Sequence, residues 1–120
     1  MTEGELLITL LNSATIAHVL HLRSMSYSEH KALQGFYQGM PDLVDGVIEA
    51  WQGKHGALID YPDQVVEVTE HRDALEYLVY LNLVLEEGRY VLGDESEIQN
   101  MVDEIAALID STIYKLTFLK

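Results

Sequence analysis

Apolar residues recur at alternating steps of three and four through four separate stretches of this chain, which commits it to α-helices that share one core. The first stretch reads as a helix from about Thr2 to Arg23, with Leu7, Leu11, Ala14, His18 and His21 on one face. The second opens at Ser26, carries Leu33, Phe36, Tyr37, Met40, Val44, Val47, Ile48 and Trp51 on its apolar side, and is closed by Gly53 and Gly56. The third runs from about Thr69 to Glu87, with Leu75, Leu78, Val79, Asn82 and Leu85 inward and Gly88 as its stop. The fourth starts at Asp94, shows Ile98, Met101, Ile105, Leu108, Thr112 and Leu116 on one stripe, and continues to the C-terminal residues. Thr2 with Glu5, Ser26 with Glu29 and Asp94 with Glu97 have the spacing of capping boxes. Pro41 lies inside the second pattern, where it removes one backbone hydrogen bond at a cost of ~3 kcal/mol unless a bend absorbs it. The reading is one bent helix.

Link lengths select the topology. Helices one and two, and helices three and four, are joined by short links, as antiparallel neighbours require. From Lys54 to Val68 the chain has about fifteen residues, which can span about 50 Å when extended. That exceeds the ~39 Å length of a helix of about 26 residues. A four-helix bundle with one long crossover between helices two and three is the ferritin-like arrangement. The alternative is a slack loop in an up-down bundle. The expectation is therefore all-α, a single ferritin-like domain over residues 1–120.

Composition bounds the function classes. The chain is 48% apolar, above what disorder allows, and it contains no cysteine, which removes disulfides and thiolate zinc sites. No run of about 18 uninterrupted apolar residues suggests a membrane span, and the first residues are acidic where a secretory leader is basic. The expected location is cytoplasmic, without a membrane. Twenty Asp and Glu against seven Lys and Arg give a net charge of −13. Such a surface repels phosphate backbones, so direct DNA binding is not expected. It suits cations, basic partners or simple solubility. There is no phosphate-cradling glycine loop, no nucleophile elbow and no cysteine nucleophile.

Histidine with carboxylate is an imidazole-and-oxygen environment for iron, zinc or manganese. His18 and His21 stand one turn apart, His30 begins helix two, and Asp45 and Glu49 are again one turn apart. The Glu-x-x-His pair of within-bundle di-metal sites is absent, because no histidine here has glutamate three residues before it. At 100° per residue, Asp45 lies about 60° and Glu49 about 100° around helix two from His30, on one flank. Along the axis, however, His30 and Asp45 are about 22 Å apart. One metal cannot bind both in one chain. Two antiparallel copies of helix two across a two-fold bring His30 of one subunit to Asp45 and Glu49 of the other. The expected partners are metal ions and a second copy, in a homo-oligomer that is at least a dimer. Capture needs neutral imidazole and should weaken below about pH 6.

The stretch His30, Phe36-Tyr37, Asp42, Val44-Asp45 and Glu49 resembles, without a gap, the second helix of the Dps miniferritins, the DNA-binding proteins from starved cells. Gly93-Asp94, Glu104-Ile105 and Tyr114-Lys115-Leu116 are a weaker likeness to that family's fourth helix, and Ala17 to Leu33 is similar to an uncharacterised group of Dps-like phage proteins. The resemblance implies a ferroxidase site between subunits, two histidines from one chain and an Asp-x-x-x-Glu pair from the other. His18 fills the first histidine position directly, and His21 fills it if the turn is three residues shorter. The family's further Asp, four residues after its second His, is replaced by Gln34, and its basic tail is missing. These departures motivate a second reading, a ferritin-like structural or interaction protein with a vestigial site. In it, the acidity serves a basic partner or mimics nucleic acid.

Without that resemblance four of the site residues have ordinary roles. His18 and His21 would be hydrogen-bonded packing residues on an apolar face, and Asp45 and Glu49 solvated helix charges. Trp51 reads as a core or interface anchor, Asn82 as a register-setting buried polar group, and His55 as a loop residue. Glu67, Glu70 and His71 read as surface groups at the start of helix three.

Overall fold

The computed structural model describes residues 1–64 and 71–120, and among them the chain is all-α, with no strand. Helix α1 is Glu3–Arg23. Its capping box forms in full: the Thr2 hydroxyl accepts from the Glu5 amide at 3.1 Å, and the Glu5 carboxylate accepts from the Thr2 amide at 3.3 Å. Helix α2 is Tyr27–His55. Only half of its box is made. Ser26 Oγ accepts from the Glu29 amide, while the Ser26 amide donates to Ser24 Oγ instead of to Glu29. Pro41 does not split α2; the helix is continuous through it, and the Tyr37 carbonyl goes without its usual donor. Gly56 ends α2 in the left-handed conformation at φ 61°, which a residue with a Cβ adopts only at a cost.

Helix α3 is Ala74–Gly88, shorter than the periodicity suggests. His71 and Arg72 are not helical, and Asp73 caps the helix by accepting from the Glu76 amide at 2.9 Å. The expected start at Thr69, with Glu67 and Glu70, lies outside the described residues. A 3₁₀ turn, Arg89–Leu92, follows. Helix α4 is Ser96–Phe118, one residue later than the Asp94 box placed it. That box is not formed, and Glu95, at the N-cap, makes no capping bond. The α3–α4 corner is held by side chains instead. Arg89 donates to the Gln99 side chain, the Gln99 carbonyl and Asp103, and Gln99 donates back to the Arg89 and Gly93 carbonyls.

The four helices form a bundle in which α1 and α4 each pack against both α2 and α3. Leu6, Leu7, Leu10, Leu33, Phe36, Met40, Leu78, Leu81, Leu85, Ile98 and Ile105 are fully buried, and each contributes about 1.5–3 kcal/mol by leaving water. The stripe of α2 lies where the periodicity put it, and α4 keeps Ile98, Ile105, Thr112 and Leu116 inside but buries Val102 and Ile109 more deeply than Met101 and Leu108. The stripe of α1 is rotated by one residue. Leu6, Leu10, Ser13, Ala17 and Leu20 join Leu7 and His21 in the interior, while His18 is exposed. In α3, Tyr77 and Leu81 are interior, Asn82 is half-buried and Val79 is exposed. Both helices are apolar around much of their girth, so the period alone underdetermines which side faces in. Burial also pushes the Tyr77 hydroxyl well above the ordinary tyrosine pKa.

Contacts show which ends meet. The start of α1 meets the end of α3, since a Cβ on Gly88 would touch Met1 and Leu6. The end of α2 meets the start of α4 through the Lys54–Glu97 and His55–Glu95 pairs, and Trp51 Nε1 donates to the Leu92 carbonyl. After α2 the chain passes over the first turn of α1 and then alongside it, with Asn12 donating to Gln64 at 3.0 Å. Gly4 is what lets it pass so close. A Cβ there would collide with the Asp60 carbonyl oxygen and press on Pro62 at 3.1 Å.

Two substitutions should therefore have opposite signs in chemical denaturation. Gly4→Ala must displace backbone and is expected to cost about 1–3 kcal/mol. Gly35→Ala, in the middle of α2 with open space around the new methyl group, is expected to add about 0.5–1 kcal/mol.

Candidate functional site

The turn from α1 to α2 is only three residues, Ser24-Met25-Ser26, and it is braced by Ser24 Oγ, which donates to the Ser26 carbonyl. So tight a turn sets the last turn of α1 against the first turn of α2, and His21 against His30. Each ring reaches the other residue's backbone. His21 Nδ1 lies 2.6 Å from the His30 carbonyl oxygen, and His30 Nδ1 lies 2.9 Å from the His21 carbonyl oxygen. A carbonyl can only accept, so both Nδ1 atoms carry the proton. In the neutral rings the lone pair then sits on Nε2, the tautomer that metal-binding histidines adopt when a carbonyl fixes the other nitrogen.

The two rings are stacked, with centroids 3.5 Å apart and planes 20° from parallel. His21 is buried and His30 half-buried. A metal lies close to the plane of an imidazole that binds it, about 2.0–2.1 Å from the nitrogen for zinc. Two nearly parallel rings at this spacing cannot both aim Nε2 at one ion. The pair as it stands is a clasp between helices, and joint chelation requires one ring to turn out of the stack.

His18 stands one turn back on α1, exposed, with its ring stacked on Tyr37 at 4.0 Å and edge-on to His21 at 5.9 Å. The structure thus gathers His18, His21, His30 and Tyr37 into one imidazole-rich patch. Of the two candidates on α1, His21 is the one that touches His30.

Asp45 and Glu49 are exposed on α2, and neither makes a hydrogen bond or ion pair among the described residues. Because α2 is unbroken, the separation of about 22 Å from His30 stands. Among the described residues no group of three or more His, Cys, Asp or Glu side chains is placed to hold a metal within one chain. Gln34, where a carboxylate would complete a richer site, receives the Lys31 ammonium at 3.5 Å.

The chain belongs to DUF5856, a family of unknown function. The family model matches residues 21–116, taking in His21, His30, Asp45 and Glu49 and beginning after His18. No curated protein and no solved structure matches the chain.

A second cluster escaped sequence reasoning. His55 is not a loop residue; it is the last residue of α2, stacked on Trp51 at 4.3 Å, with Nε2 3.0 Å from a Glu95 oxygen. The other Glu95 oxygen is buried without a partner among the described residues. The four-residue spacing of Trp51 and His55 was the available signal, but Glu95 is forty residues further on, and only the bundle brings it there. This cluster fastens α2 to α4 and explains why Glu95 does not cap its own helix. His71, expected on the surface with Glu67 and Glu70, packs its ring on Tyr77 at 4.7 Å.

The clasp makes two checkable statements. Nitrogen-15 NMR of the neutral imidazoles should find His21 and His30 both protonated on Nδ1. His21→Phe, which keeps a ring and removes the donor, should cost about 0.5–1.5 kcal/mol, and His21→Ala more, because the stack is lost as well.

Proposed function

We propose that this protein is a ferritin-like, Dps-like metal-binding protein that captures Fe(II), with zinc or manganese as other possible occupants, at sites shared by two subunits. His21 and His30 supply nitrogen from one chain, and Asp45 and Glu49 supply oxygen from the partner copy. His18 stands beside them as an outer ligand. A cytoplasmic homo-oligomer, at least a dimer, is part of the same reading.

The observation that carries it is the clasp. Both Nδ1 protons are committed to carbonyls, so both free lone pairs belong to Nε2 at the rim of the bundle. The helix arrangement supports the ferritin-like part. The end of α2 and the end of α3 lie at the same end of the bundle, as one long crossover would require, and the described residues after α2 set out along α1. In this reading His30, the less buried ring, turns out of the stack to meet the metal. The resemblance adds oxidation, in which Fe(II) gives up an electron to an external oxidant such as dioxygen.

A second reading has a specific observation behind it. The imidazole stack already satisfies itself, and Gln34 withholds a carboxylate. In that reading the histidines fasten a structural or interaction protein whose acidic surface meets a basic partner. Metal near one ion per chain in protein purified without chelator would end this alternative.

Anaerobic titration of Fe(II) or Zn(II) into metal-free protein tests the site. The double variant His30→Ala, Glu49→Ala should bind more than about 100-fold more weakly, beyond what loss of a supporting residue costs. Equal affinity would remove the site. Aerobic Fe(II) oxidation no faster than in buffer would remove the oxidation step alone.

A further inference from the structure

The few cations of this acidic chain are not spread evenly. Of its seven Lys and Arg, Lys54 is paired with Glu97 and Arg89 with Asp103. Lys31, Lys115 and Lys120 instead collect where α2 begins and α4 ends, around two adjoining surface grooves of about 320 and 300 Å³. The grooves share Ser28 and Leu119, and their apolar lining comes from Ala32, Leu116 and Leu119. Glu29 is the one acid among the lining residues, so the rim is net positive. Among the described residues, Lys115 and Lys120 make no ion pair.

The complementary surface is on α3. Val79, Tyr80 and Leu83 are 51%, 50% and 53% exposed, unusually open for large apolar side chains in a bundle helix. At 100° per residue they share an arc of about 120° with Glu76, Glu86 and Glu87. The result is a stripe of about three turns, apolar over its middle turn and acidic at both ends. Helix α3 packs against α1 and α4, whereas the grooves lie between α2 and α4. The stripe and the grooves are therefore on different faces, and a molecule cannot fill its own groove.

We propose that copies of this chain associate head to tail, the acidic and apolar stripe on α3 of one molecule seated in the basic groove between α2 and α4 of the next. Such a contact joins two different patches, so it propagates into a ring or a filament unless a geometry closes it. It is separate from the two-fold pairing through α2 and goes beyond the metal reading. Charge complementarity chooses the occupant. A net charge of −13 opposes contact between copies in general, and this groove is a place where a strongly acidic chain can receive one without added cations. A three-turn stripe is small beside the ~1,200 Å² of stable interfaces, which puts the contact in the weak, salt-sensitive class.

Sedimentation velocity tests this with the wild-type chain and two surface variants, Lys115→Glu with Lys120→Glu, and Tyr80→Ser with Leu83→Ser. Wild-type mass should climb past that of a dimer with concentration at physiological salt and fall back at about 1 M salt. Each variant should weaken this association by about tenfold or more. Mixing the two variants should restore a single capped contact, because each retains the patch that the other lost. A wild-type mass that does not change with concentration would overturn the proposal. So would variants that associate as the wild type does, or variants that ignore each other when mixed. Loss of metal binding in His30→Ala, Glu49→Ala protein leaves these outcomes unchanged, so the two accounts fail separately.

Discussion

The clasp between His21 and His30 is the interaction on which the proposed chemistry depends. A three-residue turn can join two helices at many angles; two reciprocal ring-to-carbonyl hydrogen bonds, closed over stacked rings, leave one. The clasp fixes how α2 leaves α1, and with it the direction in which the flank bearing Asp45 and Glu49 points. It also spends both Nδ1 atoms on structure and leaves both Nε2 atoms to chemistry. In the proposed function the same two bonds that secure the hairpin leave two nitrogens for a metal, and the stack that closes it keeps them from converging on one ion.

Charge governs what happens between copies. A net charge of −13 opposes association, although screening limits this repulsion to about 8 Å at physiological salt. In the proposed function, cations at a two-fold seam neutralise carboxylates that otherwise repel, so metal and assembly favour each other. In the proposed head-to-tail contact the α2–α4 groove meets the same constraint by gathering Lys31, Lys115 and Lys120 at one end. The pairs elsewhere, Lys54 with Glu97 and Arg89 with Asp103, join helix ends at the corners of the bundle. The Glu97 carboxylate, bonded to the Lys54 ammonium, raises that lysine's pKa above the usual range.

Much of the architecture was legible in the residues because apolar period and capping chemistry are local. Thr2 with Glu5, Ser26 and Gly56 bound their helices where the sequence places them, and the apolar face of α2 is that of the periodicity. One source of misreading is a partner distant in sequence. Glu95 serves His55, forty residues back, rather than a helix end. Helices apolar nearly all round, such as α1, do not announce which side is inside. The candidate site was half legible. The spacing of His21 and His30 about a short turn brings them together, and the length of α2 keeps Asp45 and Glu49 away. The reciprocal carbonyl bonds, which decide the tautomer, depend on how two helix ends meet and have no signature in sequence.

The central claim is that the metal site is shared between two chains, and complementation between two broken subunits tests it most directly. His30→Ala and Glu49→Ala proteins, each unable to bind, are unfolded together in equal amounts, refolded and titrated with metal. In a two-fold dimer half the molecules are then mixed, and each mixed dimer has one site with both mutations and one with neither. The account predicts recovery of about a quarter of the wild-type sites at wild-type affinity. No recovery, from variants that still form dimers, would contradict it and return the histidines to a purely structural role.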